Sequence, residues 1–516
     1  MMKRFLFPLR RALALLLCLL LAFAMGGCGP EEPEEPIEPE ITTEPPPEVP
    51  EGSVAVPYLP EDSLNPFRIE TVINAPLVSL YCRGLYRLDT GFTPVNDLAQ
   101  SEIVSTGNVK VNLKQGLVFS DGSPLTAQDV VYSYGLAKES VLYREHLNNM
   151  ESCAAPDDMT VLFTLDHPDV NVLNGLLFPV VKEGTADTKD ALPVSCGPYQ
   201  FTQDGIRLSL TCNTRSGEDL PPVGTVRLTE VTENTVLESL VDSGDVNFCC
   251  SDLSRGSAKR TYSSATDIYL NNLVFIGLNR KNVNLGAAEM RRALSLALDR
   301  QEIVSAGFQS FARAAALPFN TSWKAVADSA VAAGISFNAD NAAADALLNA
   351  YGAGTGGEPC YLTLLCPEDN SFLRNTAGVI VRQLAKNNID VTVETVDRYD
   401  YRERLATEDF DCYLGEIKLS PTMDLSPFFS YDGAAIYGID PEEGELGERY
   451  EAYRGGELPL DDFLTSFVAE TPFIPLCFRN GRMCYTSDIT AVSGVSEFSV
   501  FGQIAGWQVD TEHAHG

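Results

Sequence analysis

The stretch Val111–Ser133 reads VNLKQGLVFSDGSPLTAQDVVYS, and it decides how the rest of the chain is interpreted. It opens in alternating apolar residues, which are typical of a strand. The turn residues FSDGSP at Phe119–Pro124 then lead into a helical pattern. Thr126 is a typical helix N-cap, and Asp129 adds a favourable negative charge to the first turn. We interpret the stretch as scaffold rather than as a ligand-binding surface.

Strand and helix patterns alternate along the chain from Gly52 onward. Alternating or β-branched segments predict strands at residues 109–113, 160–165, 206–212, 273–278, 361–365 and 391–396. Apolar residues at helical spacing predict helices over Met290–Val304 and Ala377–Asn387. Interleaved strands and helices predict mixed α/β domains, each with a central sheet.

Length and charge narrow the class of protein. The chain has 516 residues, and 37 Lys and Arg against 71 Asp and Glu give a net charge of −34. At about 100–200 residues per domain, this length predicts roughly two to four domains. Nucleic acid is excluded as a partner, because phosphate recognition needs clustered Lys and Arg, and the only basic cluster lies in the first eleven residues.

The N-terminus has the pattern of an export signal. Lys3, Arg4, Arg10 and Arg11 precede an apolar run, Ala12–Ala24, that is too short to cross about 30 Å of hydrocarbon as a helix. The residues AMGGC ending at Cys28 resemble a bacterial lipobox, which implies a diacylglyceryl group on that cysteine. We therefore expect a lipoprotein signal peptide at residues 1–27.

The segment after Cys28 is predicted to be a disordered tether. Residues 30–51 contain eight Pro and nine Glu with no Lys or Arg, a composition that cannot form a core. Proline favours extended polyproline II and the glutamates repel one another. We expect residues 28–52 to hold a globular body away from a membrane.

No catalytic, metal-binding or cofactor-binding motif emerges. Of 13 Cys, Cys18 leaves with the signal and Cys28 is acylated, so an odd number remains and at least one thiol is free. The four His form no HExxH, and no GxSxG occurs. Residues 352–357 match GxGxxG, but a helical segment precedes them and a strand follows, which is the reverse of a dinucleotide site. We expect a loop there, no cofactor, and only adventitious metal binding at the tail residues His513 and His515.

Val111–Ser133 closely resembles the signature of the family 5 extracellular solute-binding proteins, the oligopeptide, dipeptide and nickel receptors of bacterial ABC importers. Other stretches similar to this family follow in the family's order at residues 64–67, 84–86, 196–199, 275–299 and 410–411. The resemblance implies an α/β, two-lobe periplasmic-binding-protein (Venus flytrap) type II fold with an extra subdomain. By motif, lobe I is expected at residues 53–75, 194–274 and 486–516, the extra subdomain at 76–193 and lobe III at 275–485.

The resemblance also implies where a ligand would bind. Glu70 and Val72 fall where peptide-binding relatives have a strand at the cleft edge, which pairs with the ligand backbone. On the opposite lobe, Glu416 lies in the stretch where an aspartate of such relatives anchors the α-amine. Aligned without gaps, that position is Ser420; with a local insertion it is Asp424. Both alternatives stay open.

Three cations indicate another way of holding the ligand. Arg398, Arg402 and Lys418 fall near the expected cleft, and together they indicate an acidic or C-terminally anchored ligand. For each of them the alternative is a solvated surface charge, which is the more common role of such residues.

The resulting functional hypothesis is an extracytoplasmic receptor anchored to the bacterial cell membrane through the lipid on Cys28. It would be a monomer without enzymatic activity. It would capture a small ligand, a peptide above all, by hinge closure and deliver it to an ABC permease and its ATPase. The alternatives are a receptor for an oligosaccharide or a chelated metal, a sensory lipoprotein without a transport role, and an enzyme.

Overall fold

Three β-sheets organise the computed structural model, which describes residues 50–232, 236–254, 256, 263–440 and 444–510. The expected signal peptide, Cys28, most of the tether, and the tail residues His513 and His515 lie outside the described residues. Sheet I has four strands. In order across the sheet they are Ser53–Tyr58, Thr225–Glu230, Arg207–Cys212 and Tyr199–Asp204. The first pair is parallel and the other pairs are antiparallel.

Sheet II is the largest sheet. In order, its strands are Phe248–Ser251, Phe473–Tyr485, Ser264–Leu278, Cys412–Lys418, Cys360–Pro367 and Ile389–Val396, and Ala312–Ala314 pairs with Phe473–Tyr485 beside this path. The last three strands of the path run parallel to one another. The two longest strands, Phe473–Tyr485 and Ser264–Leu278, are antiparallel neighbours.

Sheet III is antiparallel and contains the start of the stretch Val111–Ser133. Its strands, in order, are Ala99–Val104, Asn108–Leu113, Thr160–Leu165 and Met150–Asp157. The helix Ala127–Glu139 starts with a capping box: the backbone amide and hydroxyl of Thr126 donate to Asp129 at 2.8 and 2.9 Å. The predicted cap at Thr126 is thereby confirmed.

Short elements complete the chain. Two-stranded pairs join Arg83–Gly84 to Pro179–Val180, Tyr86–Leu88 to Pro94–Asn96, and Ile489–Thr490 to Gln508–Val509. The other α-helices are Val78–Tyr81, Leu237–Ser243, Ala288–Leu296, Arg300–Glu302, Lys324–Ala332, Asn341–Ala350, Ser371–Leu384, Arg398–Ala406, Ser426–Phe429, Leu446–Arg454 and Leu460–Glu470. Single turns of 3-10 helix occur at Ala75–Leu77, Arg144–Leu147, Val172–Gly175, Ala385–Asn387 and Ile504–Gly506, and a π-turn at Ile303–Gly307.

The strand Ser264–Leu278 connects separate hydrophobic cores. Its residues Ile268 and Leu270 pack in core 1, which is built around sheets I and III. Further along, Val274 packs in core 2 on one face of sheet II and Phe275 in core 3 on the other face. Between these parts, the register with Phe473–Tyr485 shifts between Tyr269 and Asn272. The strand therefore changes core where its pairing is irregular.

Two glycines let aromatic rings pack on the core 3 face of sheet II. A Cβ at Gly277 would lie 1.9 Å from the ring of Tyr413, and one at Gly415 would lie 2.5 Å from the ring of Phe275. Because each ring covers the neighbouring strand's glycine, the Phe275 and Tyr413 rings reach an edge contact with centroids 5.7 Å apart.

The predicted strands are confirmed, whereas one predicted helix differs. The pattern over Met290–Val304 predicts a continuous helix, and this is wrong: the helix ends at Leu296 and a new turn begins at Arg300. Asp299 causes the restart because its carboxylate accepts the amides of Gln301 and Glu302 at 2.9 and 3.0 Å.

Other expectations for the chain agree with the structure. The helix over Ala377–Asn387 is confirmed and starts earlier, at Ser371. Residues 352–357 form the expected loop between a helix and a strand. The described cysteines are all unpaired thiols, which confirms that at least one thiol is free.

Candidate ligand-binding site

The parallel strands of sheet II reverse their direction of winding at one point. From Cys360–Pro367 the chain passes through the helix Ser371–Leu384 to Ile389–Val396. It then returns through the helix Arg398–Ala406 to Cys412–Lys418, on the other side of the starting strand. One helix packs in core 2 and the other contributes Leu405 to core 3, so they cover opposite faces. In open α/β sheets, the crevice at the carboxyl ends of the strands at such a point binds ligands.

A cavity of about 840 Å³ opens at this point, and we call it the crevice. Its walls come from Pro367 at the end of one strand, Asn370 just after it, Glu416 on the next strand, and Arg398 on the returning helix. Asp252 lines it from the end of the strand Phe248–Ser251. The volume and position are typical of a small-molecule site.

Arg479 and Glu416 form a buried ion pair in the crevice wall. Arg479 Nε donates to Glu416 Oε1 at 2.7 Å, and the Arg479 side chain is 2% exposed. Asn272 Nδ2 donates to the same carboxylate oxygen at 2.8 Å. The Glu416 carboxylate therefore already accepts hydrogen bonds from two side chains of the same chain. Arg479 Nη1, in contrast, is buried without a hydrogen-bond partner in the described part of the chain.

Arg398 and Arg402 line the crevice from the helix Arg398–Ala406. Asp397 caps this helix, since its carboxylate accepts the amides of Tyr399 and Asp400 at 2.8 and 3.0 Å. Both arginines are exposed. Because the cap keeps the first turn in place, the two cations lie one turn apart on the crevice side.

A side cavity of about 220 Å³ contains Glu70, Val72 and Lys418. It shares the wall residues Asp252 and Asn272 with the crevice, so the two spaces adjoin. The expectation of a cleft-edge strand at Glu70 and Val72 is wrong. Residues 71–74 form a turn instead, because the Asp62 carboxylate accepts the amides of residues 70 and 71, each at 3.0 Å.

Lys418 is already paired inside the protein. Its Nζ lies 2.6 Å from Glu497 Oε2, and the backbone amide of Asn271 donates to the other oxygen of that carboxylate at 2.5 Å. The Glu497 charge raises the pKa of Lys418. Lys418 therefore stays a cation, neutralised by a carboxylate from the C-terminal segment.

Asp424 lies away from the crevice, in another cavity of about 190 Å³. Its carboxylate accepts from Tyr450 at 2.9 Å, from Arg454 at 3.0 Å and from the amide of Ser426 at 2.9 Å. Arg454 also pairs with the buried Asp169. These contacts make Asp424 part of a structural network.

Ser420 lines neither the crevice nor the side cavity. Its hydroxyl lies 2.9 Å from the hydroxyl of Thr422, and its carbonyl accepts from Asn271 at 3.0 Å. The two positions considered for an amine anchor are thus both engaged in contacts within the protein. Their role in ligand binding stays a prediction.

Six of the eight site residues expected from sequence lie in two adjoining cavities. Arg398, Arg402 and Glu416 meet in the crevice, and Glu70, Val72 and Lys418 meet in the side cavity. Sequence reasoning missed Arg479 and Tyr413. A signal for Arg479 exists, because this charged residue directly follows the apolar run FIPLCF at Phe473–Phe478, and a charge in a buried strand needs a partner.

Within the described residues, none of the helices combines the length and apolar composition that a membrane crossing requires. Over the same residues, no group of three or more His, Cys, Asp and Glu side chains is arranged to hold a metal ion.

Comparison with known sequences identifies relatives. The family model of the bacterial extracellular solute-binding proteins, family 5 middle, matches residues 93–436. The oligopeptide-binding protein AppA of Bacillus subtilis is 25% identical over 379 residues, which cover 64% of this chain and 69% of AppA.

Solved structures share the fold at low sequence identity. The ABC transporter substrate-binding protein CtaP of Listeria monocytogenes superposes with a TM-score of 0.69 at 18% identity, covering 89% of this chain and 99% of CtaP. A nickel ABC transporter structure from Bacillus halodurans superposes with a TM-score of 0.71 at 17% identity, covering 89% of this chain and 100% of the other. These proteins are two-lobe binding proteins of mixed α/β structure.

Proposed function

Because the chain belongs to the bacterial extracellular solute-binding proteins of family 5, we propose that it is the solute receptor of an ABC importer and that its solute is a peptide. The observation that carries this proposal is the crevice of about 840 Å³ at the switch point of sheet II. The relative AppA, which is named as an oligopeptide-binding protein, supports a peptide over other solutes.

In this proposal the receptor closes about the two long strands of sheet II. We assign most of core 1 to lobe I (residues 53–75, 194–274 and 486–516) with the extra subdomain (76–193), and most of cores 2 and 3 to lobe III (275–485). The cores cross these bounds at a few residues, since Met483 packs in core 1 and Leu88 packs in core 3. The register shift between Tyr269 and Asn272 lies where the strand changes core, which makes it the bending point. A ligand that contacts both walls favours the closed state.

The walls that would meet the ligand differ in chemistry. Ile268 and Leu270 of core 1 line the side cavity, whereas Arg398, Arg402 and Arg479 line the crevice. Tyr401 and Tyr437 add aromatic surface to the crevice. This mixture of charged and aromatic groups suits a peptide, which presents both charged ends and apolar side chains.

The receptor is proposed to work at the extracytoplasmic face of the cell membrane. Cleavage before Cys28 removes residues 1–27, a diacylglyceryl group anchors the cysteine, and residues 28–52 tether the body. A monomer captures the peptide without chemical change and presents it to the permease and ATPase. Without the four basic residues of the signal, 33 Lys and Arg against 71 Asp and Glu give a net charge of −38, which keeps the receptor soluble beside the membrane.

A thermal-shift screen tests the proposal. The purified protein is melted with peptides of two to nine residues, with maltooligosaccharides and with a nickel-histidine complex. A ligand present at 100 times its Kd stabilises the folded state by about 2.7 kcal/mol, so peptides should raise the melting temperature. Mass spectrometry should recover the bound peptide intact. Stabilisation by the sugars or the nickel complex alone would contradict the proposal, as would recovery of cleaved peptide.

A further inference from the structure

Arg479 is a buried arginine of the crevice wall that engages only one of its three guanidinium nitrogens over the residues that the structure describes. Arg479 is 2% exposed, and only its Nε is engaged with Glu416. Its Nη1 is buried and has no hydrogen-bond partner among the described residues, although the side chain lines the crevice. A buried, unpaired donor on a charged group is costly, so this position is prepared for an acceptor that is absent from the protein itself.

A second donor in the crevice is in the same state. The Tyr413 hydroxyl is buried without a partner in the described part of the chain, and the side chain lines the crevice. Burial raises the pKa of this hydroxyl well above its ordinary value, so it remains protonated and can donate. Two buried donors without acceptors point to a ligand that supplies acceptor oxygens.

The other charged groups that line the crevice are of both signs, so the case for an anion rests on the two buried donors. Arg398 and Arg402 are exposed there. Asn370 caps the helix Ser371–Leu384, whose positive dipole end opens into the crevice. Asp252, Asp369 and Glu416 are the acidic groups that also line it, and Glu416 is neutralised by Arg479.

We propose that the crevice contains a carboxylate-binding subsite centred on Arg479, and that the solute is held there by a carboxylate group. The inference rests on the proposed function, and it specifies the chemical class of the solute. Arginine suits this role because its planar fork can pair with a carboxylate through two parallel hydrogen bonds. Here one part of the fork holds Glu416 and Nη1 remains for the ligand. The carboxylate can be the C-terminus of a peptide or an acidic side chain.

Calorimetric titration with three synthetic peptides separates these sources. The probes are pentaalanine with a free C-terminus, pentaalanine amide, and a pentapeptide amide with a central Glu. We expect the pentaalanine amide to bind about 10- to 100-fold more weakly than the best carboxylate-bearing probe. The better of the free acid and the Glu peptide identifies the source. Equal affinity for all three would overturn the subsite alone, and no binding by any peptide would overturn the proposed function itself.

Substitution of Arg479 assigns the preference to this side chain. Arg479→Gln should lower the affinity for the favoured probe about 10- to 100-fold and leave the affinity for pentaalanine amide unchanged. Arg382→Gln is the matched control, because it breaks an exposed arginine pair with Glu302 that does not line the crevice. An equal loss for both probes in Arg479→Gln would overturn the proposal.

A second variant keeps the test valid if Arg479→Gln is unstable. In Glu416→Gln/Arg479→Gln, both members of the buried pair are neutral, so no unpaired carboxylate remains. The double variant should also bind the carboxylate-bearing and amidated probes equally. Retained preference for the carboxylate would overturn the role of Arg479. If neither variant folds, the three-peptide titration of the unmodified protein decides.

Discussion

Glu497 holds Lys418 and the backbone of Asn271 at the same time, with Lys418 Nζ 2.6 Å from one carboxylate oxygen and the Asn271 amide 2.5 Å from the other. Lys418 ends a strand whose residues Cys412 and Leu414 pack in core 2. Glu497 lies between Val495 and Val500 of core 1. One side chain therefore connects two cores beside the register shift of the strand that they share.

Glu497→Gln should weaken this connection without removing the acceptor for the Asn271 amide. Lys418 is 59% exposed, so the ion pair contributes only about 0–1 kcal/mol. We expect peptide affinity to fall by up to about fivefold, since less of the protein is held in the arrangement that binds. Calorimetric titration checks this. Glu408→Gln, which breaks the surface pair with Lys281, is the control and should leave affinity unchanged.

Asp424→Asn should reduce stability without affecting amine recognition. Asp424 neutralises the buried Arg454, so the substitution leaves a buried charge with fewer partners and should cost about 3 kcal/mol. Urea unfolding measures the loss. Peptides with free and acetylated N-termini should keep the affinity ratio of the unmodified protein. A stable variant that no longer distinguishes them would instead make Asp424 the amine anchor.

Gly277→Ala should destabilise the fold because the added methyl group would lie 1.9 Å from the Tyr413 ring. Overpacking of this kind costs about 1–3 kcal/mol, measured as a lower urea midpoint. Gly378→Ala is the matched control with the opposite sign. No atom lies within 4 Å of a Cβ at Gly378 in the helix Ser371–Leu384, so Ala should stabilise this helix by up to about 1 kcal/mol. Equal midpoints for the two variants would contradict the packing described here.

Acid should destabilise the protein through His146. Burial, with a smaller contribution from the Lys418 charge, lowers the pKa of His146 to about 3. Between about pH 6.5 and 3 the unfolded chain binds a proton that the folded protein does not. His146 therefore does not reduce stability above this range. As the pH is lowered through the range, this group decreases the free energy of unfolding by up to about 1.4 kcal/mol per pH unit.

His146→Gln should remove this part of the pH dependence. The variant's unfolding free energy should fall less steeply between pH 6.5 and 5 than that of the unmodified protein, as followed by urea unfolding at several pH values. His167→Gln, at a side chain that is 40% exposed, is the control and should keep the original slope. An unchanged slope in His146→Gln would show that other groups cause the acid sensitivity.

The outline of the fold was predictable because its signals are local. The cap at Thr126, the strand alternation and the helix Asn341–Ala350 each depend on residues within one or two turns of each other. The break after Leu296 was missed, since the apolar spacing continues through it. The Asp299 cap, a competing local signal, starts the separate turn at Arg300.

The site was less predictable because it depends on register between distant strands. In the register of sheet II, Arg479 lies opposite Asn272, and Asn272 lies opposite Lys418 on the next strand. No local pattern specifies this alignment, so the sequence could not show that Arg479 and Glu416 meet. The same reason applies to Asp424, whose partners Tyr450 and Arg454 come from a later helix.

The position of Phe473–Tyr485 has a consequence for the order in which the protein can fold. This strand lies between Phe248–Ser251 and Ser264–Leu278 in sheet II, yet the ribosome makes it long after both of them. It supplies Met483 to core 1 and Cys477 to core 2, so both cores remain incomplete until synthesis is nearly finished. Such distant pairing slows folding. A nascent chain therefore cannot complete either core until almost its whole length has been made, and a truncation before Phe473 should leave both cores incomplete.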